Sequence, residues 1–435
     1  MFVAYHYPPV VSGGVERTVK FERYLPEFGY VAHIVTTGAF GDSDARPGGA
    51  ETAVARAWEP LALYRRIAHR CWRQPPPPSF VRAPASRLAP VRRFVTRHLL
   101  VPDGQTTWIP HALLLALRAV RRTGAVALYS TYPPASAHLL AWCLKGLTRL
   151  PWVADFRDSW TGDPLDPALL ELPVRLAIER RLERRVVRAA DLVVAATRLS
   201  ANQLRGWRAH QPDRVRLIPN GYDPADIGPR PPPTPLAPGE PVRLVHTGAF
   251  ALSHPQRTPG PLLAGLAQLA AADSAWRDRL RLVLAGPLTA AEAASVAPLQ
   301  RSGMVEVLGP LPRAGALALQ ASAHALVLVD HARPWPASNV PGKLYEYLGL
   351  GRPILAVCGP GMVEELITEL RAGRCVRPGD PRQIAAALVE LHAELRAGRG
   401  PAPPSAAALA PYTRRAQAAA LAQCFDAAIA GSLCP

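Results

Sequence analysis

Lys343 and Glu346 are the two residues whose types and spacing point most directly to a chemical task. They lie three positions apart, which places both side chains on one face of a helical turn. An ammonium group is suited to phosphate oxygens, and a carboxylate is suited to the paired hydroxyls of a ribose. This pair therefore predicts a site for a nucleotide-activated sugar, the alternative being an ordinary ion pair on a helix surface.

A short helix between two buried strands must position this pair. The apolar runs Ala325–Val329 and Pro353–Val357 are typical of buried parallel strands. Pro341 suits the first turn of the helix between them, and Gly349 and Gly351 end it. Such a helix directs its first backbone N–H groups beyond the carboxyl ends of the strands, where they favour anions.

A second set of charged residues lies in the segment Pro151–Trp160. This segment predicts a strand that ends in Asp155, Arg157, Asp158 and an indole. Charged groups at the carboxyl end of a strand are costly to bury unless they are paired or used. The pattern favours a functional site, and the alternative is an internal ion pair between an aspartate and an arginine.

The amino-terminal segment predicts the opening unit of a doubly wound α/β fold. It contains a strand over Phe2–Tyr5, a loop with Gly13 and Gly14, a helix that continues to Leu25, and a second strand over Tyr30–Thr36. The two glycines allow the backbone to approach a ligand closely, and the helix presents its positive end. A simple turn is the alternative interpretation of this loop.

The length of 435 residues allows two domains, each with its own core. A proline-rich stretch at 226–241 predicts a stiff linker between a first domain, 1–225, and a second domain, 242–411, which repeats the alternation of strands and helices. A terminal helix over 412–435 follows another proline-rich stretch.

Residues 46–101 interrupt the first domain with prolines, arginines and scattered aromatic residues. Basic residues that alternate with Trp, Phe and Leu can lie on an anionic membrane surface. The alternative is an insertion whose basic face is only solvated.

The composition limits the class of protein. The formal net charge is +17 with a sequence pI near 10.3, and it comes almost entirely from arginine, which draws the chain towards anionic partners. The six cysteines show no paired spacing, which argues against a zinc site or a disulfide framework and favours a reducing cytosol. The sequence contains no signal region and no apolar run of about 20 residues. We therefore expect a cytoplasmic protein, which could also bind the inner face of the plasma membrane as a peripheral protein.

Six short motifs together resemble the retaining glycosyltransferases of family four, which have the GT-B fold. These motifs are Tyr5-x-Tyr7-Pro8-Pro9 with Gly13-Gly14, Asp155-Phe156-Arg157-Asp158-Ser159-Trp160, Ala190–Val194, Ile218–Asp223, His246-Thr247-Gly248 and Pro341–Tyr347. The resemblance covers nearly the whole chain. It implies two Rossmann-like domains that face each other across a cleft, the first on the acceptor side and the second binding a nucleotide-sugar, with the terminal helix returning to the first domain.

The resemblance also implies roles for individual residues. Glu346 matches the second glutamate of the family's Glu-x7-Glu motif, which usually binds the ribose hydroxyls. Gly13 and Gly14 match the loop beside the donor phosphate and the acceptor. The sugar and diphosphate are expected next to Lys343 and the backbone of the second domain, at Gly248, Ser338, Asn339, Val340, Pro341 and Gly342.

Three departures distinguish this chain from the usual family pattern. Ser338 replaces the first glutamate of Glu-x7-Glu, and Arg157 replaces a histidine that usually faces the sugar. The Arg and Lys that usually follow the first strand of the second domain are not recognisable, and Arg257 is the nearest candidate. These changes are similar to those of a subgroup with an Asp-Phe-Arg-Asp motif.

The predicted reaction is transfer of a hexose from a nucleotide-sugar to a saccharide or lipid-linked acceptor in the synthesis of surface polysaccharide or another glycoconjugate. The main electrostatic task is to stabilise the negative charge that grows on the leaving diphosphate, for which Lys343, Arg257 and helix N-termini are candidates. The resemblance implies retention of configuration, with Asp155, Arg157 and Asp158 positioning the acceptor or donor. Fixed cations and helix dipoles can stabilise this charge without a divalent metal, so we expect neither a metal nor another cofactor.

Two other functions remain open at this stage. Ser338 leaves room for a GT-B protein that is catalytically silent or performs epimerisation. An arginine-rich protein that binds nucleic acid is less favoured because no known nucleic-acid module is found. The sequence does not specify the base, the sugar or the acceptor.

Overall fold

The structure is a computed structural model that describes residues 1–10, 13–40, 52–60, 100–232 and 234–433. The chain divides into two compact units. One comprises Met1–Asn220 and the segment from Arg414 onward, and the other comprises Gly221–Thr413.

The first unit contains a parallel sheet of seven strands in the order β3-β2-β1-β4-β5-β6-β7. These strands are β1 Phe2–Val3, β2 Ile34–Thr37, β3 Val54–Ala57, β4 Leu128–Tyr132, β5 Trp152–Phe156, β6 Leu192–Ala195 and β7 Val215–Leu217. The strand order reverses between β1 and β4, so their carboxyl ends border the crevice in which open α/β sheets bind ligands.

Helices cover both faces of this sheet. They are α1 Gly13–Tyr24, α2 Ile109–Thr123, α3 Ser136–Thr148, α4 Pro173–Ala189 and α5 Arg198–Trp207. Alternate residues of the strands point to opposite faces, so each strand feeds two cores. Residues such as Val3 and Ala154 pack against α2 to α5, whereas Phe2 and Val153 lie in the core on the other face, which includes Phe21 of α1.

The strand β3 was not predicted, because it lies inside the stretch 46–101 that the sequence suggests is an insertion. It pairs in parallel with β2 at the edge of the sheet. Its sequence, Val-Ala-Arg-Ala, is too short and mixed to form an apolar run. Residues 46–51 and 61–99, which contain most of the predicted basic insertion, lie outside the described residues.

The second unit has a parallel sheet of six strands in the order β10-β9-β8-β11-β12-β13. These are β8 Val242–Thr247, β9 Leu280–Ala285, β10 Val305–Val307, β11 Ala325–Val329, β12 Ile354–Val357 and β13 Gly373–Val376. Here the strand order reverses between β8 and β11. The two sheets confirm the predicted fold class of two Rossmann-like α/β units.

The helices of the second unit are α6 Pro224–Ile227, α7 Gly260–Ala272, α8 Trp276–Arg279, α9 Ala290–Arg301, α10 Arg313–Ala321, α11 Gly342–Leu350, α12 Met362–Glu369, α13 Pro381–Arg396 and α14 Ala406–Leu409. The stretch 226–241, predicted to be a linker, belongs to this unit. It is held there by hydrogen bonds, because Thr234 Oγ1 donates to the Ala323 carbonyl at 3.1 Å and Arg230 Nε donates to the Gly349 carbonyl at 3.4 Å.

The last helix, α15 Arg414–Leu433, belongs to the first unit. It packs against α1, and Leu421 and Phe425 enter the same core as Phe2. In the part of the chain that the structure describes, no helix is both long enough and apolar enough to cross a membrane.

Candidate functional site

In the second unit, Lys343 lies at the start of α11 and reaches the carboxyl end of β8. Its Nζ donates a hydrogen bond to the Thr247 carbonyl at 2.6 Å and lies 3.5 Å from His246 Nε2. Burial and then the positive charge of Arg257 lower the pKa of Lys343 to about 7. The ammonium group is thus held at the point where the strand order reverses, and an added anion would favour its charged form.

Glu346 points to a different neighbour from Lys343. Its Oε1 accepts a hydrogen bond from Arg313 Nη1 at 2.9 Å, and Arg313 Nη2 donates to Asp226 Oδ2 at 3.0 Å. The alternative of a Lys343–Glu346 ion pair is therefore not what the structure shows, although a helix-surface ion pair with Arg313 does form. Sequence analysis missed Arg313 because its partner lies 33 positions away.

A cluster of charged and imidazole side chains surrounds Asp330, which directly follows β11. Its carboxylate accepts hydrogen bonds from Arg257 Nη2 at 2.9 Å and Arg333 Nη1 at 2.8 Å, and His331 Nδ1 lies 3.1 Å away. The hydrogen bond from His331 and the two guanidinium groups hold the pKa of Asp330 well below its usual value, against the effect of burial. The structure therefore gives Arg257 a fixed position.

Two imidazoles complete this cluster. The rings of His254 and His331 stack with centroids 3.9 Å apart. Burial, followed by the charges of its neighbours, lowers the pKa of His254 to about 4, so this ring is neutral at pH 7. Sequence analysis missed Asp330, although a charged residue directly after a buried strand was an available signal.

Close backbone approaches shape the floor beneath Lys343. Gly248 has a positive φ of 94°, and a Cβ there would lie 3.0 Å from Lys343 Nζ. A Cβ at Gly286, which follows β9, would collide with the carbonyl oxygen of Gly248. The loops after β8 and β9 can therefore lie this close only because both residues are glycine.

The predicted donor-binding segment leads into an open helix terminus. Ser338 is buried, and Asn339, Val340 and Pro341 are half-buried. Gly342, the first residue of α11, is exposed, and no side chain caps the helix. Because the first N–H groups of a helix have no partner within it, this terminus can donate to an anion beside Lys343.

In the first unit, Asp155 is fully buried at the end of β5 and is already paired. Arg17 of α1 donates to its two oxygens at 2.8 and 2.9 Å, and the Tyr129 hydroxyl donates at 2.5 Å. Arg17 also donates to the carbonyls of Ile218 and Pro219. Asp155 therefore forms the internal ion pair that was the alternative interpretation, and it joins α1, β4 and β5 to the chain after β7, while its catalytic role stays a prediction.

Arg157 lies against the glycine loop. Its guanidinium donates to the carbonyls of Gly14 at 2.5 Å and Pro133 at 2.9 Å, and a Cβ at Gly14 would overlap it. Arg157 Nε lies 3.8 Å from Asp158 Oδ2 and has no hydrogen-bond partner among the described residues. Burial raises the pKa of Asp158 despite this nearby cation. The structure thus brings Arg157, Asp158 and Gly14 together, and Gly13 begins the same helix.

Trp160, the indole of the same motif, has a structural contact. Its Nε1 donates to Glu179 Oε2 at 2.8 Å, and Arg175 donates to the other oxygen at 2.7 Å. The ring is buried and stacks against Tyr132, with the ring centroids 5.7 Å apart.

Within the described ranges, no group of three His, Cys, Asp or Glu side chains could hold a metal ion.

Comparison with known families gives a match on each side of the break between the two units. Residues 12–226 match the family described as Glycosyltransferase Family 4, and residues 243–394 match the family described as Glycosyl transferases group 1. The two matches follow one another along the chain and together cover most of it.

The chain is a glycosyltransferase of the GT-B type.

Solved structures with the same fold cover the glycosyltransferase almost completely. Sucrose-phosphate synthase from Thermosynechococcus elongatus is 14% identical with a TM-score of 0.64, and the match covers 98% of this chain and 96% of that one. Anabaena HepE in complex with UDP-glucose is 14% identical with a TM-score of 0.52, covering 100% and 99%.

UDP-GlcNAc 2-epimerase from Methanocaldococcus jannaschii is 9% identical with a TM-score of 0.53, covering 98% and 99%. At these identities the similarity shows the fold alone. No curated protein sequence matches the chain significantly.

Proposed function

We propose that this glycosyltransferase transfers a hexose from a nucleotide-sugar to a saccharide or lipid-linked acceptor, with retention of configuration and without a metal ion. The observation that carries the proposal is the set of groups at the carboxyl ends of β8 and β11. Lys343, Arg257 and the open terminus of α11 lie there, at the reversal of the strand order.

These groups suit the charge that develops during glycosyl transfer. Cleavage of the bond to the anomeric carbon leaves negative charge on the diphosphate, and fixed cations and helix N–H groups stabilise it without reorganisation. Asp330 holds Arg257 and Arg333 in place and neutralises only one of the two positive charges. With Lys343, the cluster keeps a net positive charge for the leaving group.

Glu346 is the proposed ligand of the donor ribose. Its half-buried carboxylate lies on the same helix as Lys343, one turn further on, and Arg313 fixes one of its oxygens. The second oxygen remains a potential acceptor for a ribose hydroxyl. The structural similarity to HepE, which was solved with UDP-glucose, supports a nucleotide-sugar as donor.

Arg157 and Asp158 are the proposed residues of the acceptor side. Arg157 is fixed by two carbonyl groups, and the carboxylate of Asp158 lies 3.8 Å from its Nε. Asp158 is partly exposed and its pKa is raised by burial, which suits a group that accepts a hydrogen bond or a proton from a sugar hydroxyl. We assign Asp155 only a positioning role, through Arg17.

Substitution at the donor site tests this function. Incubation with UDP-, GDP- and ADP-sugars, scored by thermal stabilisation, identifies the donor, and product analysis by NMR reports the anomeric configuration. Lys343→Ala and Glu346→Ala should each abolish transfer without unfolding the protein, whereas Arg301→Ala, an exposed arginine at the end of α9, should leave it unchanged. Full transfer activity in either site variant would refute the assignment.

Epimerisation is the second candidate, because Ser338 stands where the family usually has a glutamate and an epimerase shares the fold. The same product analysis separates the two reactions. A nucleotide-sugar altered at one carbon, with no acceptor consumed, would favour the epimerase.

We also propose a cytoplasmic location and a role in the synthesis of surface polysaccharide or another glycoconjugate. The basic segment 46–101, suggested by the sequence as a contact with an anionic membrane, lies largely outside the described residues. A fractionation experiment on cells that produce the full chain tests this location.

A further inference from the structure

The outer surface of α2, α3 and α4 has an unusual distribution of charge. These three helices lie side by side on one face of the sheet of the first unit, and their inward residues, including Ala116, Leu140 and Val187, form the core on that face. Their outward side chains form what we call the α2–α4 surface.

Every exposed charged residue on these helices is an arginine. They are Arg118, Arg121, Arg122, Arg180, Arg181, Arg184, Arg185 and Arg188. The only carboxylates on the three helices, Glu179 and Glu183, are buried and bind Trp160 and Thr161. No salt bridge of Arg180, Arg181 or Arg185 is found among the described residues, although the charge of Arg180 does act on the buried Glu183. The exposed charges of the α2–α4 surface are therefore all positive.

Large apolar side chains are exposed among these arginines. Val174 is 75% exposed and Ile178 is 45% exposed on α4, and Leu147 of α3 is 62% exposed. Val174 and Ile178 are one turn apart, and Arg181 and Arg185 continue the same stripe at helical spacing. Trp58, which is 55% exposed, lies at the border of α2, where its backbone N–H donates to His111 Nδ1 at 2.8 Å.

We propose that the α2–α4 surface docks on an anionic phospholipid bilayer. The arginines would pair with lipid phosphates, while Val174, Ile178 and Trp58 would enter the boundary between headgroups and acyl chains. A nucleic acid would also pair with the arginines, but it would leave the apolar side chains without a partner.

Sedimentation with lipid vesicles tests the proposal on the full-length protein. The protein should bind vesicles that contain one quarter phosphatidylglycerol, and it should bind pure phosphatidylcholine at least about tenfold more weakly. Raising the salt concentration from 0.1 to 0.5 M should weaken binding because it screens the charges. Duplex DNA at equal phosphate concentration should compete poorly.

Charge reversal on α4 locates the surface. The triple variant Arg180→Glu, Arg181→Glu, Arg185→Glu should lose vesicle binding by at least about tenfold. The matched control reverses three exposed arginines of the second unit, Arg301→Glu, Arg382→Glu and Arg399→Glu, with the same change of net charge. The control should bind nearly as the original protein does. Val174→Ser with Ile178→Ser should weaken the binding that persists at high salt.

Three results would overturn the proposal: no binding to anionic vesicles, equal losses in the α4 variant and its control, or DNA binding that exceeds vesicle binding and is lost in the α4 variant. Circular dichroism and the melting temperature establish that each variant is folded. Vesicle binding is measured without donor or acceptor, so its outcome is independent of the proposed transfer activity.

Discussion

The ammonium group of Lys343 is a cation of the proposed donor site whose charge changes near neutral pH. Its pKa lies near 7 because the group is buried and close to Arg257. An arginine guanidinium group, by contrast, is effectively always charged in proteins. The affinity of the site for a diphosphate should therefore depend on the protonation of Lys343.

We expect the kcat/KM of transfer to fall as the pH rises through about 7, because the free enzyme then loses the Lys343 charge. Below this pH the ammonium form predominates and the donor is held. In the residual activity of Lys343→Arg the decline should be absent, since guanidinium does not titrate in this range. A profile of kcat/KM between pH 5.5 and 9, measured for the original protein and for Lys343→Arg, tests this expectation. The same decline in both proteins would show that Lys343 is not the group that titrates.

Arg313 is expected to act through Glu346. Removing its guanidinium in Arg313→Ala frees the carboxylate that it now fixes at 2.9 Å, so we expect the donor KM to rise about tenfold with a smaller change in kcat. Preference for the donor over its 2′-deoxyribose analogue should also shrink, which simple destabilisation would not cause. An unchanged preference in Arg313→Ala would argue against a role for this ion pair in ribose binding.

At the scale of secondary-structure elements, α4 shows how one helix serves two environments. Its outward side carries the arginines of the α2–α4 surface, whereas Glu179 and Glu183 face inward. Burial raises the pKa of Glu183 to about 7, although hydrogen bonds from Thr161 favour its charged form. The folded protein therefore binds a proton at Glu183 more tightly than the unfolded chain does.

This shift predicts a pH-dependent loss of stability. Because the folded state holds the proton up to about pH 7 and the unfolded chain releases it near 4.5, the free energy of unfolding should fall as the pH rises between these values. Glu183→Gln, which stays neutral, should therefore be more stable than the original protein at pH 8, by about 3 kcal/mol. The difference should disappear at pH 4, and chemical denaturation at both pH values measures it.

At the scale of the whole molecule, the chain does not divide simply into a first half and a second half. The helix α15, at the end of the sequence, supplies part of the core of the first unit. Its inward residues include Leu421, which is fully buried, whereas Gln423 on the same helix is exposed.

Leu421→Ala should therefore destabilise the first unit although it lies near the end of the chain. The lost apolar contacts and the resulting cavity should lower the free energy of unfolding by about 3 kcal/mol. Gln423→Ala, a change of similar helix propensity on the solvent side, should have little effect. Calorimetry that resolves the unfolding transitions of the two units measures the effect. A Leu421→Ala variant in which only the melting temperature of the second unit changed would contradict this expectation.

The two sheets and most of the donor-site segment could be predicted from local patterns. Apolar runs of four to six residues identify most of the strands, and their alternation with helices identifies the doubly wound fold. The spacing of Lys343 and Glu346 likewise reveals that both lie in one turn of α11. The strand β3 escaped prediction because four residues that include an arginine at the edge of a sheet carry almost no periodic signal.

What the sequence determined by itself was the order of the elements and the chemical types at the ends of the strands, since both follow from residues close together in the chain. The tertiary structure alone decided which of these charged groups are already paired. Asp155 meets Arg17 across 138 positions, and Arg257 meets Asp330 across 73. Such pairs depend on which strand ends the sheet brings together, and no local pattern records that arrangement.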